Sequence, residues 1–129
     1  MLNKVIVTNQ AQLQAALTNA ATQPIRCISI EDDIIELTSP LELPKTLYCR
    51  SKQLVIEGNG ATLAPNIGST LTHLMRRVPA TQTEALNTMQ SHAFVFRNIC
   101  FDGRGAGIGL DLAATYGALI ENCKFQSLT

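Results

Sequence analysis

Two segments lying 24 positions apart share a pattern: Val95-Phe96-Arg97-Asn98-Ile99-Cys100-Phe101 and Leu119-Ile120-Glu121-Asn122-Cys123-Lys124-Phe125. Phe96 matches Ile120, Asn98 matches Asn122, Ile99 matches Cys123 and Phe101 matches Phe125. Upstream, Leu54-Val55-Ile56-Glu57-Gly58 and Ile28-Ser29-Ile30-Glu31-Asp32 begin in the same way. The result is one column, Ile30, Ile56, Phe96 and Ile120, with steps of 26, 40 and 24 residues. A repeat of this length constrains the fold strongly, because no single unit can bury its own apolar face and each must stack on the next. Two of the steps are one circuit of a β-solenoid, whose neighbouring strands lie about 4.8 Å apart. The longer step is a circuit plus an insertion, placed here as a loop over residues 66–92. The reading is therefore all-β, a short parallel β-helix of about four rungs in a single domain over residues 1–129. An antiparallel β-sandwich also has short strands and frequent turns, but it gives no reason for the repeat.

The register predicts contacts. Ile30, Ile56, Phe96 and Ile120 stack inward as a continuous core. Their outward neighbours Glu31, Glu57, Arg97 and Glu121 form a ladder in which Arg97 sits between two glutamates, an arrangement that stabilises adjacent strands. Asn98 and Asn122 are expected in a tight bend, where Asn tolerates left-handed dihedrals and one amide can bond to the next. Gly58 is expected in the same bend with a positive φ.

Before the first repeat, residues 9–21 read as a capping α-helix. Asn9 is a candidate N-cap, Gln12 completes a capping box, and Leu13, Ala16, Leu17 and Ala20 form one apolar stripe. Pro24 closes the segment. Ten acidic and ten basic residues cancel, so no overall field steers the chain to nucleic acid or an anionic membrane. Its apolar runs fall short of the roughly 18 residues of a membrane span, and its first residues do not resemble a secretion signal. The cysteines at 27, 49, 100 and 123 show no CxxC spacing, and neither His73 nor His92 lies beside one, so no metal or cofactor is expected. Two disulfides and four free thiols both remain open.

Taken together, the helix before the first rung, the Leu-Val-Ile-Glu-Gly-Asn-Gly-Ala-Thr-Leu segment at 54–63, the Asn98/Asn122 pair and the closing segment 120–125 resemble the pectin-lyase-like family of right-handed parallel β-helices. The resemblance spans nearly the whole chain apart from about 66–92. It implies right-handed winding, an extracellular setting and acidic polysaccharide as a partner. The family's catalytic patterns are not matched. Asp32-Asp33 is the only adjacent aspartate pair, and Arg77-Val78-Pro79-Ala80-Thr81-Gln82 has Gln where a lyase motif has its second Arg. Two-carboxylate hydrolysis needs acids about 5–10 Å apart across one bond. Asp111 falls on one strand of the circuit, whereas Glu57 and Glu121 belong to the next, so the three share no obvious face. The Gly103-Arg104-Gly105-Ala106-Gly107-Ile108-Gly109 segment lacks a phosphate-loop pattern and reads as a bend leading into a strand.

For binding, the candidates surround the insertion: His73, Arg76 and Arg77 before it, His92 after it, and Asp111 on the following rung. Arginines there would hold carboxylated sugars by paired hydrogen bonds. At the other extreme, residues after Phe125 are too few to cover the last rung, and an open rung is a template for edge pairing. The expected function is a non-catalytic scaffold or interaction module, carbohydrate-associated, that joins a second copy or a continuing solenoid through this rung. The alternative is the N-terminal part of a polysaccharide lyase or glycoside hydrolase with its catalytic rungs elsewhere. A third reading is a complete small enzyme using Arg76, Arg77 and Asp111.

Overall fold

The computed structural model describes residues 3–45, 47–48, 53–69, 71–77, 94–105, 108–112 and 118–128. Its strands are β1 (Lys4–Val7), β2 (Cys27–Ile30), β3 (Ile34–Leu37), β4 (Leu41–Glu42), β5 (Leu54–Glu57), β6 (Thr62–Pro65), β7 (His73–Arg77), β8 (Phe94–Arg97), β9 (Cys100–Asp102), β10 (Ile108–Leu112), β11 (Ala118–Glu121) and β12 (Lys124–Gln126), with helix α1 (Gln10–Asn19) after β1. The strands form three sheets: β1-β2-β5-β8-β11, β3-β6-β9-β12 and β4-β7-β10. From β2 onward the chain visits the first, second and third sheet in turn and repeats the cycle. Every strand pairing among the described residues is parallel, which excludes the antiparallel sandwich.

Side-chain alternation decides what is buried. Ile35 and Leu37 point inward from β3 while Ile34 and Glu36 face out, and Leu54 and Ile56 do the same on β5. In the first sheet the register stacks Val5, Ile28, Ile56, Phe96 and Ile120; in the second it stacks Ile35, Leu63, Phe101 and Phe125. The Phe101 and Phe125 rings lie 4.9 Å apart and nearly parallel, at 8°. That separation is about one strand spacing, so the aromatic stack follows the backbone ladder.

Several expectations need correction. The column runs through Ile28 and not Ile30, since β2 pairs Ile28 with Ile56 and Val5, while Ile30 pairs with Val7. Both isoleucines are buried, and a two-residue slip keeps each on the inner face, so alternation cannot distinguish them. Ser29 therefore stands opposite Glu57, and Glu31 is not its neighbour in the ladder. The short segment Lys4–Val7 is a strand of the first sheet, so α1 follows the first strand and does not precede the whole set. The stretch 66–92 is not one loop, because its residues His73–Arg77 form β7; residues 78–93 lie outside the described residues.

Gly58 is needed for a reason other than the one expected. The positive φ angles belong to Asn59 (53°) and Gly60 (87°). A Cβ on Gly58 would sit 2.4 Å from the Asn98 carbonyl oxygen and 2.6 Å from Ile99 Cγ1. Close backbone approach between neighbouring layers excludes a side chain there.

Helix α1 closes one end by packing against β1 to β4. Leu13, Ala16 and Leu17 are buried, as the stripe predicts, and the Asn9 side chain accepts from the Gln12 amide at 2.9 Å. Gln12 Oε1 in turn accepts from the Thr8 amide at 2.8 Å, one residue earlier than a standard capping box. Two further glutamines reach from the helix to the strand layer. Gln10 Oε1 accepts from the Thr38 amide (2.9 Å) and its Nε2 donates to the Ser39 carbonyl (3.2 Å). Gln14 Oε1 accepts from the Glu42 amide (2.8 Å) and its Nε2 donates to the Glu42 carbonyl (3.1 Å). Backbone groups that would face water or a further strand are thereby satisfied from above.

Candidate functional site

Three surfaces combine chemistry with accessibility: an ionic row on the third sheet, a cleft beside the asparagine bends at one corner, and the edge formed by the last strands.

The ionic row is built by register. β7 lies between β4 and β10, pairing Arg76 with Glu42 on one side and with Asp111 on the other. The expected meeting of His73, Arg76 and Asp111 on adjoining strands is therefore present. Arg76 Nε donates to both Glu42 carboxylate oxygens, at 2.6 and 3.0 Å, and this bond holds the guanidinium pKa above its ordinary value. His73 Nε2 lies 3.2 Å from Asp111 Oδ2, and His73 Nδ1 lies 2.9 Å from the Thr72 hydroxyl. Hydroxyl, imidazole and carboxylate are thus in line, the order of a nucleophile, a base and its orienting acid. A reaction also needs a substrate cleft and oxyanion donors. The clefts at Asn59–Lys124, Ile30–Asn59 and Pro65–Arg104 are lined by other residues than Thr72, His73 and Asp111.

Arg77 does not join this row. It is fully buried, and its Nη2 donates to the Lys45 carbonyl at 2.8 Å. The expectation of a second surface arginine is corrected: Arg77 alternates to the inner side of β7, paired with Leu112. His92 lies outside the described residues. With Arg77 inside, Arg76 is the one arginine of β7 on the outer face, and its Nε is already engaged by Glu42.

The corner cleft follows the bends between the first and second sheets. Its volume is about 320 Å³, and its walls include Asn59, Asn98, Cys100, Asn122 and Lys124. Asn98 and Asn122 have φ of 57° and 51°, the left-handed bend expected for them. Their ladder is also present: Asn122 Nδ2 donates to Asn98 Oδ1 at 2.6 Å, and Asn98 Nδ2 donates to Glu57 Oε2 at 3.0 Å. Arg97 Nε donates to Glu121 at 3.0 Å, while Glu57 accepts from Asn98 and from the Asn59 amide. Asn59, not singled out from sequence, spans the next layer by donating to Ser29 Oγ and the Ile30 carbonyl, both at 2.9 Å. These amides hold the layers together. The three described cysteines are free thiols; burial raises the pKa of Cys27 and Cys123, which disfavours their reactive thiolate form.

The edge comprises β10, β11 and β12, the terminal members of the three sheets. Here burial breaks down along each column. Phe96 and Phe101 are 0% exposed, whereas Ile120 and Phe125, one layer on, are each 44% exposed and Leu119 is 36% exposed. The same register position is core in one layer and surface in the next. This edge gathers an apolar stripe together with strand backbone available for pairing.

Compared with known protein families, curated proteins and solved structures, the chain gives no significant match.

Proposed function

We propose that this chain is a short right-handed parallel β-helix of the pectin-lyase-like type that acts as a scaffold and associates through its β10–β11–β12 edge. Three parallel sheets visited in rotation, with inward columns running from layer to layer, support the fold reading. The observation that carries the functional reading is the exposure of Ile120 and Phe125 in columns that are otherwise buried. Each large apolar side chain gains about 1.5–3 kcal/mol when fully buried, so covering this edge is favourable before any strand pairing is added.

The surface charges favour this reading over a glycan-first one. Arg76 is already paired with Glu42 and flanked by Asp111, so the row offers no unengaged guanidinium Nε to an acidic sugar. A second reading draws on the same edge: further strands of a longer β-helix would continue it, as in the N-terminal part of a polysaccharide lyase or hydrolase.

Light scattering over a concentration series tests the proposal. The wild-type chain is expected to gain mass with concentration, and an Ile120→Lys/Phe125→Lys variant to stay monomeric. An array of acidic and neutral oligosaccharides is expected to give no signal that depends on these two residues. Equal masses for both proteins at every concentration would count against association through the edge.

A further inference from the structure

We infer that Asn59 is a self-modification site: it deamidates through a cyclic imide when the corner between the first and second sheets opens, and the product bars that corner from closing again. Of the eight asparagines in the chain, only Asn59 precedes a glycine. That dipeptide suits the reaction, because glycine has no Cβ to obstruct its own nitrogen. The Gly60 nitrogen gives up its proton to solvent base and attacks Asn59 Cγ. A C–N bond forms, the Cγ–Nδ2 bond breaks, and the side-chain nitrogen leaves as ammonia. Water then opens the five-membered imide at either carbonyl, leaving aspartate or isoaspartate. Water is the only other reactant, and nothing is oxidised or reduced.

The fold ties down both reacting groups. The β5–β6 bend that carries Asn59 and Gly60 lies inside the stack, with β2–β3 on one side and β8–β9 on the other. The Gly60 amide donates to the Asn98 carbonyl at 2.8 Å, so its proton is engaged by the β8–β9 layer. Asn59 Nδ2 donates to Ser29 Oγ and to the Ile30 carbonyl, both at 2.9 Å, in the β2–β3 layer. Nucleophile and target are thus bonded to opposite neighbours. Both residues are exposed, so hydrogen bonding and not exclusion of water restrains the reaction. Asn98 and Asn122 share the left-handed conformation but precede Ile99 and Cys123, whose side chains crowd the attacking nitrogen.

The product changes the contact between layers. A carboxylate at position 59 has no N–H for the Ile30 carbonyl, which loses that donor. It also adds negative charge among acids. Glu31 Oε2 lies 3.4 Å from Asn59 Nδ2, Glu57 Oε2 accepts from the Asn59 amide at 2.8 Å, and Asp32 and Asp33 line a cleft with Asn59. Like charges at such distances repel. Isoaspartate further lengthens the backbone by a methylene group. A transient local opening is thereby converted into a permanent loosening of the stack.

Mass spectrometry of peptides from the full chain, incubated in mildly alkaline buffer with and without unfolding urea, tests this. In urea, Asn59 is expected to convert at least about tenfold faster than Asn19 or Asn66; in the folded chain it is expected to convert at least about tenfold slower than in urea. Ser29→Ala removes one acceptor and is expected to speed conversion in the folded chain about threefold, with an unchanged circular dichroism spectrum. Asn59→Asp, which imitates one product, is expected to lower the melting temperature or abolish the cooperative melt. Equal rates with and without urea overturn the restraint by the fold, and an unaltered rate in Ser29→Ala overturns the part given to the β2–β3 layer. No preference for Asn59 in urea overturns the site itself. An Asn59→Asp chain that melts with the wild type overturns the claim that conversion bars reclosure.

Discussion

At one end of this molecule a helix covers the strand layers; at the other, the last strands carry their apolar column into solvent. Leu13 and Leu17 of α1 are fully buried, and Gln10 and Gln14 bond to the backbone of Thr38, Ser39 and Glu42 beneath them. At the β11–β12 end, Ile120 and Phe125 occupy the same columns as Phe96 and Phe101 yet remain 44% exposed. The two ends present the same kind of backbone, so what separates them is the covering element. The difference teaches that a stack of parallel strands has no intrinsic stop: its length is limited by whatever satisfies the terminal layer.

The largest test of this contrast compares truncations at the two ends. Leu17→Ala is expected to cost about 2–5 kcal/mol in denaturant unfolding, because it empties a packed site under the helix. Ile120→Ala, already half exposed, is expected to cost the monomer about 1 kcal/mol. Similar losses at both positions would erase the distinction. Between the ends, Gly58→Ala is expected to destabilise by about 1–3 kcal/mol, since its Cβ would meet the Asn98 carbonyl that links two layers. Thermal melts of this variant measure how tightly those layers approach. Replacing Gln10 and Gln14 by Ala is expected to cost about 1 kcal/mol each and to speed amide exchange at Thr38 and Glu42. An unchanged exchange rate would show that the helix covers this edge without bonding to it.

The smallest effect concerns Asp102, which ties β12 to β9. Hydrogen bonds from the Arg104 amide and then from Gln126 Nε2 hold its carboxyl pKa below the ordinary value. Its stabilisation is therefore complete above the ordinary carboxylate range and fades as pH falls through the lowered value. Acidification across that window is expected to loosen β12 selectively, read as faster amide exchange at the Asp102–Gln126 contact, while α1 is unaffected. A carboxyl titration by NMR showing no downward displacement would contradict the assignment.

Much of the architecture was legible in sequence because the 24-residue offset repeats both residue type and side-chain parity. Phe96/Ile120, Phe101/Phe125 and Asn98/Asn122 pair as the repeat predicts. Ile30 stands in for Ile28 in the sequence column because Ile-Ser-Ile looks the same after a two-residue slip. β1 is only four residues long and adjoins the helix cap, too short to show a period of its own. Of the candidate binding residues, His73, Arg76 and Asp111 were brought together by strand pairing. Arg77 was misplaced because its charge suggested solvent, whereas alternation along β7 turns it inward beside Leu112. The roles of Gln10, Gln14 and Asn59 depend on which backbone groups lie within reach, information that no local pattern contains.

The central claim, that the helix end is closed and the β10–β11–β12 edge associates, is tested most directly by amide hydrogen exchange at several protein concentrations. The account predicts that protection at β1 and β4 is constant, while protection at β11 and β12 rises with concentration and is lost in Ile120→Arg. Fast exchange at β11 and β12 that never changes with concentration would contradict it.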